Sequence, residues 1–231
     1  MHRARWTTIE RELRRTGGAL IAGVDEVGRG SLAGPVVACA IVMPPDSRAL
    51  RGVDDSKMLT PLARERLVYQ IMQRAVSLGL GAASAREIDR INIYHASTLA
   101  MQRALARLKV SPDHVLIDGR PIRALGVEHH GIVDGDDKCF SIACASIVAK
   151  VTRDRLMASL ARRHPHYSWD HNYGYATRRH IDALQAYGSC AHHRRSFVVK
   201  ALSPDALVLE IIESSDADHE ATERGDEISL M

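Results

Sequence analysis

Residues 21–35 read IAGVDEVGRGSLAGP, and residues 35–43 continue as PVVACAIVM. Two apolar, β-branched runs separated by a glycine-rich turn predict two strands joined as a hairpin. The first run carries two adjacent carboxylates, Asp25 and Glu26, directly into Gly28-Arg29-Gly30. Neighbouring residues of a strand face opposite sides. The two acids therefore share a site only where the strand ends or bulges, which the glycines permit.

A glycine turn also suggests a nucleotide-binding loop. Residues 28–33 formally fit G-x-G-x-x-A, but that fingerprint must open a helix. Here Gly34-Pro35 and a second strand follow. A P-loop fails too, because Arg29-Gly30 stands where Lys-Ser/Thr is required.

Two more acids share the context of the first pair. His114 to Asp118 reads as a buried strand ending in an acid before Gly119, and Asp136 follows Gly135. Functional groups of α/β sheets gather at strand ends. Acids converging there repel one another, by about 4 kcal/mol per pair at ~4 Å and an effective dielectric near ~20. A cation among them relieves that repulsion, and an all-oxygen ligand set favours Mg²⁺ or Mn²⁺. Each Asp-Gly or Gly-Asp pair also fits an ordinary turn, and separation in sequence leaves convergence open.

The 231 residues fit one domain, with 45% hydrophobic content and an aliphatic core, since aromatics are only 4%. The formal charge of +3 conceals an asymmetry: residues 201–231 hold nine acids and one arginine, leaving +11 in residues 1–200. A basic body suggests a polyanionic partner. No apolar run reaches the roughly 20 residues that span a bilayer, and the charged N-terminus has no signal-peptide core. Cys39, Cys139, Cys144 and Cys190 lack C-x-x-C pairing, which predicts reduced thiols in a cytoplasmic protein. The adjacent histidines His129-His130 and His192-His193 do not have helical zinc-site spacing.

Periodicity predicts helices over 7–16, from Thr60-Pro61 to about 78, and over 95–108, 141–162 and 178–187, with a short strand at 79–84. Strands first, then alternating strand and helix, give an α/β class: a mixed central sheet flanked by helices.

An ordered series of motifs resembles ribonuclease HII. It runs through D-E-V-G-R-G-x-L-A-G-P-V-V at 25–37, Asp55-Ser56-Lys57, Ile88-Asp89-x-Ile91-Asn92-Ile93 with Ala100-Met101, and Leu116-Ile117-Asp118-Gly119. It continues with Gly135-Asp136, S-I-A-C-A-S-I-V-A-K-V-T-R-D at 141–154, H-P-x-Y at 164–167, Gly174-Tyr175-x-Thr177 and H-R-R-S-F at 193–197. The resemblance covers roughly residues 18–198 and implies a ribonuclease H-like fold with a C-terminal helical segment. The expected organisation is a helical extension at 1–17, a catalytic domain at 18–200 and an acidic, disordered tail at 201–231.

The resemblance implies hydrolysis of RNA in RNA–DNA hybrids and incision beside ribonucleotides embedded in duplex DNA. Asp25, Glu26, Asp118 and Asp136 match the family's metal-site acids, for Mg²⁺ or Mn²⁺. Gly28, Arg29 and Gly30 match the loop that senses the 2′-hydroxyl, and Tyr175 the tyrosine that stacks on the neighbouring deoxyribose. Lys57 and Asn92 match contacts to phosphate or the RNA strand. The expected partners are these nucleic acids, with no membrane and no sliding-clamp motif, and the enzyme is expected to be a monomer.

Other readings stand beside these. Tyr175 also fits core filling, and Lys57 a solvated surface. Lys150, Arg153 and Asp154 read first as an ion-pair face on one helix. His193-Arg194-Arg195 fits either a nucleic-acid contact or a helix cap. Asp134 and Asp137 flank Asp136 and compete with it as the fourth ligand, and Tyr173 replaces a usual basic residue. A non-catalytic nucleic-acid binder, a small-phosphate hydrolase and ribonuclease HIII are the competing functions. The intact acid set, the basic body with its junction loop, and the short stretch before Asp25 disfavour them in turn.

Overall fold

The computed structural model describes residues 8–45, 50–53 and 60–203. Lys57 and the acidic tail lie outside the described residues. Along the chain come α1 (Thr8–Thr16), β1 (Ile21–Val27), β2 (Val36–Val42), α2 (Pro61–Arg74), β3 (Ser77–Ala83), α3 (Ala85–Leu105) and β4 (His114–Asp118). Then follow β5 (His130–Ile132), α4 (Gly135–Lys138), α5 (Phe140–Ala161), α6 (Trp169–Asn172), α7 (Arg178–Tyr187) and α8 (Arg195–Ala201).

The sheet order is β3-β2-β1-β4-β5. The hairpin is present: β1 and β2 pair antiparallel, as do β2 and β3. β4 and β5 run parallel to β1, so the sheet is mixed. Alternation along β1 feeds both faces. Ala22 and Val24 pack with Ile88, Ala100 and Met101 of α3. Ile21, on the other face, packs with Leu116 and Ile142 of α5. Gly23 lies on that same face, where an added Cβ would come 2.5 Å from the Ser141 carbonyl oxygen. The missing side chain lets α5 lie flush on β1, two residues before the first acid.

The N-terminus of α5 has no cap from its own preceding residue, Cys139. Glu10 of α1, buried, accepts the Ser141 N–H at 2.9 Å instead. A carboxylate there satisfies an orphan donor and complements the helix dipole. α1 is thus tied to the helix that backs the site.

Three expectations need correction. α2 ends at Arg74 rather than near 78, because the Ala75 N–H closes onto the Ile71 carbonyl and Val76 donates to Val42 of β2. Leu78 thereby belongs to β3, which begins at Ser77. Helix α3 begins ten residues earlier than expected and ends at Leu105, with a break at Asn92 (φ 63°). The Asn92 Oδ1 accepts from the Tyr94 and His95 N–H groups and restarts the helix. The short strand β5 has no β-branched run to announce it. All four cysteines are free thiols, and Cys39, Cys139 and Cys144 are buried. No described helix is long and apolar enough to cross a membrane.

Replacing Gly23 with alanine is expected to lower unfolding free energy by ~2–3 kcal/mol, because neither the strand nor the helix backbone can retreat. Denaturant titration of the variant against the parent measures this, and an unchanged midpoint would contradict the packing described.

Candidate active site

The register of β1 against β4 pairs Val24 with Ile117, so Asp25 and Asp118 occupy the next positions, where that pairing ends and β1 runs on to Val27 against β2. Asp25 is 7% exposed and faces α5, where Ser146 hydrogen-bonds its side chain. Glu26 falls on the other face of the strand and lines a recess of about 270 Å³ with Arg29, Tyr94, Ser97, Met101 and Asp118. Asp118, on the neighbouring strand, acts on both acids of β1.

Burial pushes Asp25 up to about 8, and the charges of Glu26 and Asp118 add to the rise. Glu26 is raised by burial and by Asp118, against the pull of Arg29, which donates to it at 3.0 Å. Asp118 is raised by burial first and then by Asp136 and Asp134. Asp137 is exposed and is not among the groups acting on Asp118.

The first residue of α4, Gly135, lies against the end of β4. The Gly135 N–H donates to Asp118 Oδ1 at 2.7 Å, and a Cβ at Gly135 would meet Ile142 Cδ1 at 2.7 Å. Asp136, next in the first turn of α4, is thereby held beside the strand end. Among the described residues no three His, Cys, Asp or Glu side chains form a ready-made metal cage. Asp118 Oδ1 is turned to Gly135, and Asp25 Oδ1 to the Glu26 N–H at 2.7 Å. The donor set still fits a hard divalent ion: it is all oxygen, and its members raise one another's affinity for a positive charge.

The glycine loop lies beside this cluster. Its far end is stitched to the segment before Tyr175, with Leu32 and Ala33 N–H groups both donating to the Gly174 carbonyl. Tyr175 is 39% exposed, so it is surface rather than core filling. Asn92 is exposed too, and its side-chain oxygen is engaged by its own helix.

The model of the family described as ribonuclease HII matches residues 22–200. A ribonuclease HII of Thermosynechococcus vestitus is 50% identical over 194 residues, spanning 83% of this chain and 90% of the relative. That of Granulibacter bethesdensis is 49% identical over 199 residues, spanning 84% and 91%. This chain belongs to the ribonuclease HII family. It is accordingly a metal-dependent nuclease of the hydrolase class. The fold agrees: the crystal structure of ribonuclease H2 from Pyrococcus horikoshii OT3 superposes with a TM-score of 0.68 at 27% identity, covering 78% of this chain and 96% of that one.

Two residues acquire roles that sequence reasoning did not give them. Lys150 and Asp154 do pair, at 2.7 Å, with Lys150 also 4.7 Å from the Tyr173 ring centroid. Arg153, expected on the same ion-pair face, is instead fully buried against the glycine loop. Arg194 neither caps a helix with its side chain nor reaches the surface; it is buried against the other end of that loop. Helix α8 is capped by Asp89, which accepts from the Arg195 and Ser196 N–H groups. The available signal was a single arginine at an apolar position of α5.

A raised carboxyl favours folding below its unfolded pKa and loses that contribution as pH climbs through its folded value. For Asp25 the window runs from about 4 to about 8. In metal-free protein, Asp25→Asn is therefore expected to gain stability over the parent by ~1 kcal/mol per pH unit across this window. Urea unfolding at pH 5, 6, 7 and 8 reads the difference, and parallel profiles would contradict the burial of Asp25.

Proposed function

We propose that this enzyme hydrolyses the RNA strand of RNA–DNA hybrids and incises duplex DNA on the 5′ side of an embedded ribonucleotide, leaving 3′-hydroxyl and 5′-phosphate ends. The observation that carries this reading is the juxtaposition of the Asp25–Asp118 strand ends with the Gly28-Arg29-Gly30 turn.

Asp25, Glu26, Asp118 and Asp136 would hold a pair of Mg²⁺ or Mn²⁺ ions. When bound, such a pair supplies an activated water and stabilises the leaving oxygen of an in-line displacement. The protein groups divide the remaining work. The loop's backbone amides meet the 2′-hydroxyl, the atom that separates RNA from DNA. Tyr175 offers an exposed ring for stacking on the adjoining sugar. Arg29, 53% exposed at its side chain and paired with Glu26, can exchange that partner for a phosphate. Lys57 and Asn92 are assigned to strand contacts on the family pattern alone.

Duplex DNA bearing one ribonucleotide, incubated with and without Mg²⁺ or Mn²⁺, tests the proposal. A metal-dependent cut immediately 5′ of the ribonucleotide is expected, and its absence would overturn the reading. Asp118→Asn should keep hybrid affinity while cleavage falls by at least ~10²-fold, the scale of a lost transition-state stabiliser; full Mg²⁺-dependent activity would remove Asp118 from the site. Tyr175→Ala should slow incision at a single ribonucleotide by ~10-fold, as for a lost stacking contact, with melting temperature little changed. An unaltered rate would exclude stacking by that ring.

A further inference from the structure

The turn from Gly28 to Pro35 has few backbone hydrogen bonds of its own, yet five of its eight carbonyls accept from arginine side chains. Two fully buried arginines take them. Arg194 donates to the carbonyls of Gly28 at 2.5 Å, Arg29 at 2.6 Å and Gly34 at 3.0 Å. Arg153 donates to Pro35 at 3.0 Å, Ala33 at 3.1 Å and Tyr173 at 2.9 Å, and to the Ser31 hydroxyl at 2.6 Å. Ser31 in turn donates to the Gly28 carbonyl at 3.1 Å. The arginines come from α5 and from the N-terminal edge of α8, so elements far apart in sequence fix one short loop.

No carboxylate hydrogen-bonds either guanidinium among the described residues. Their acceptors are carbonyls and one hydroxyl. Asp154 and Asp89 act on the two guanidinium groups through space without a hydrogen bond, and burying a cation that no carboxylate hydrogen-bonds is costly. Burial, with the Arg153 charge second, brings Arg194 down to about 9. A cost of this kind at a functional loop calls for a return in geometry.

That return follows from the planar trans peptide, in which C=O and N–H point opposite ways. With the Gly28 and Arg29 carbonyls drawn inward to Arg194, the N–H groups of Arg29 and Gly30 point outward. The two glycines mark the two sides. A Cβ on Gly28 (φ +88°) would collide with the Arg153 side chain, whereas one on Gly30 would meet nothing within 4 Å. The inner face is filled by guanidinium and the outer face is open.

We propose that Arg153 and Arg194 are positioning residues for ribose recognition. By holding the loop carbonyls inward they aim the Arg29 and Gly30 amides at the 2′-hydroxyl, and so set the preference for a ribonucleotide over a deoxyribonucleotide. The inference rests on the loop's assignment under Proposed function. It assigns a selectivity role to groups that touch no substrate themselves.

Lysine keeps the charge but lacks the planar fork that spans several carbonyls. In the full chain, R194K and R153K are each compared with the parent by fluorescence anisotropy in EDTA. The probes are a duplex with one ribonucleotide and the same duplex in DNA throughout. The ratio of the two affinities should fall by about tenfold, the scale of one or two charge-assisted hydrogen bonds, while affinity for the all-DNA duplex and its salt dependence stay constant. An unchanged ratio in folded variants overturns the inference. Should both variants fail to fold, amide hydrogen exchange of the parent decides. Protection of the Arg29 and Gly30 amides by the ribonucleotide duplex, and not by the DNA duplex, supports the aim described; equal protection overturns it. A parent enzyme that shows neither the preference nor the cut fails the underlying functional reading, whereas a parent that shows both beside variants of unchanged ratio fails this inference alone.

Discussion

The site depends on like charges being forced together. Parallel pairing of β1 with β4 leaves Asp25 and Asp118 side by side where that pairing ends, with Glu26 next on β1 and Asp136 brought in on α4. Water would keep such groups apart. The sheet register, the burial of Asp25 and the Gly135 approach hold them close instead; burial first, then Glu26 and Asp118, raises the proton affinity of Asp25, and burial first, then Asp136, raises that of Asp118. A divalent cation offsets that repulsion directly, so the stability cost and the chemistry have one source.

Around this cluster the fold separates two tasks. In the proposed function, the carboxylates address charge. Backbone amides on the adjoining turn address a neutral hydroxyl, for which hydrogen-bond direction matters more than charge. Direction needs rigidity, which a glycine turn does not supply by itself. It comes from behind, through Arg153 and Arg194 and the stitching of Leu32, Ala33 and Gly34 to the 174 and 192 segments. Glycine at 28 then serves close approach to the Arg153 side chain as well as the positive φ.

Much of this was legible in the sequence, for identifiable reasons. The hairpin and the strand into Asp118 were readable because β-branched runs bounded by glycine leave few alternatives. The nearness of the four acids was readable as a candidate because each member lies in such a run or adjoins it. Strand β5 was not, since its three residues, His130, Gly131 and Ile132, carry no strand signal and are ordered by pairing with β4. The end of α2 was misplaced because Leu78 satisfies both a helical and an alternating pattern, and only hydrogen bonding to β2 decides. The arginines were misread because side chains of that type are usually at the surface, and burial among carbonyls depends on contacts across more than a hundred residues.

The central claim is that Asp25 and Asp118 form one cation site by virtue of the β1–β4 register. Anomalous scattering from crystals of the enzyme equilibrated with Mn²⁺ tests it most directly. The account predicts a manganese peak at coordinating distance, ~2 Å, from oxygens of both carboxylates. Manganese bound by neither aspartate, in crystals of active enzyme, would contradict it.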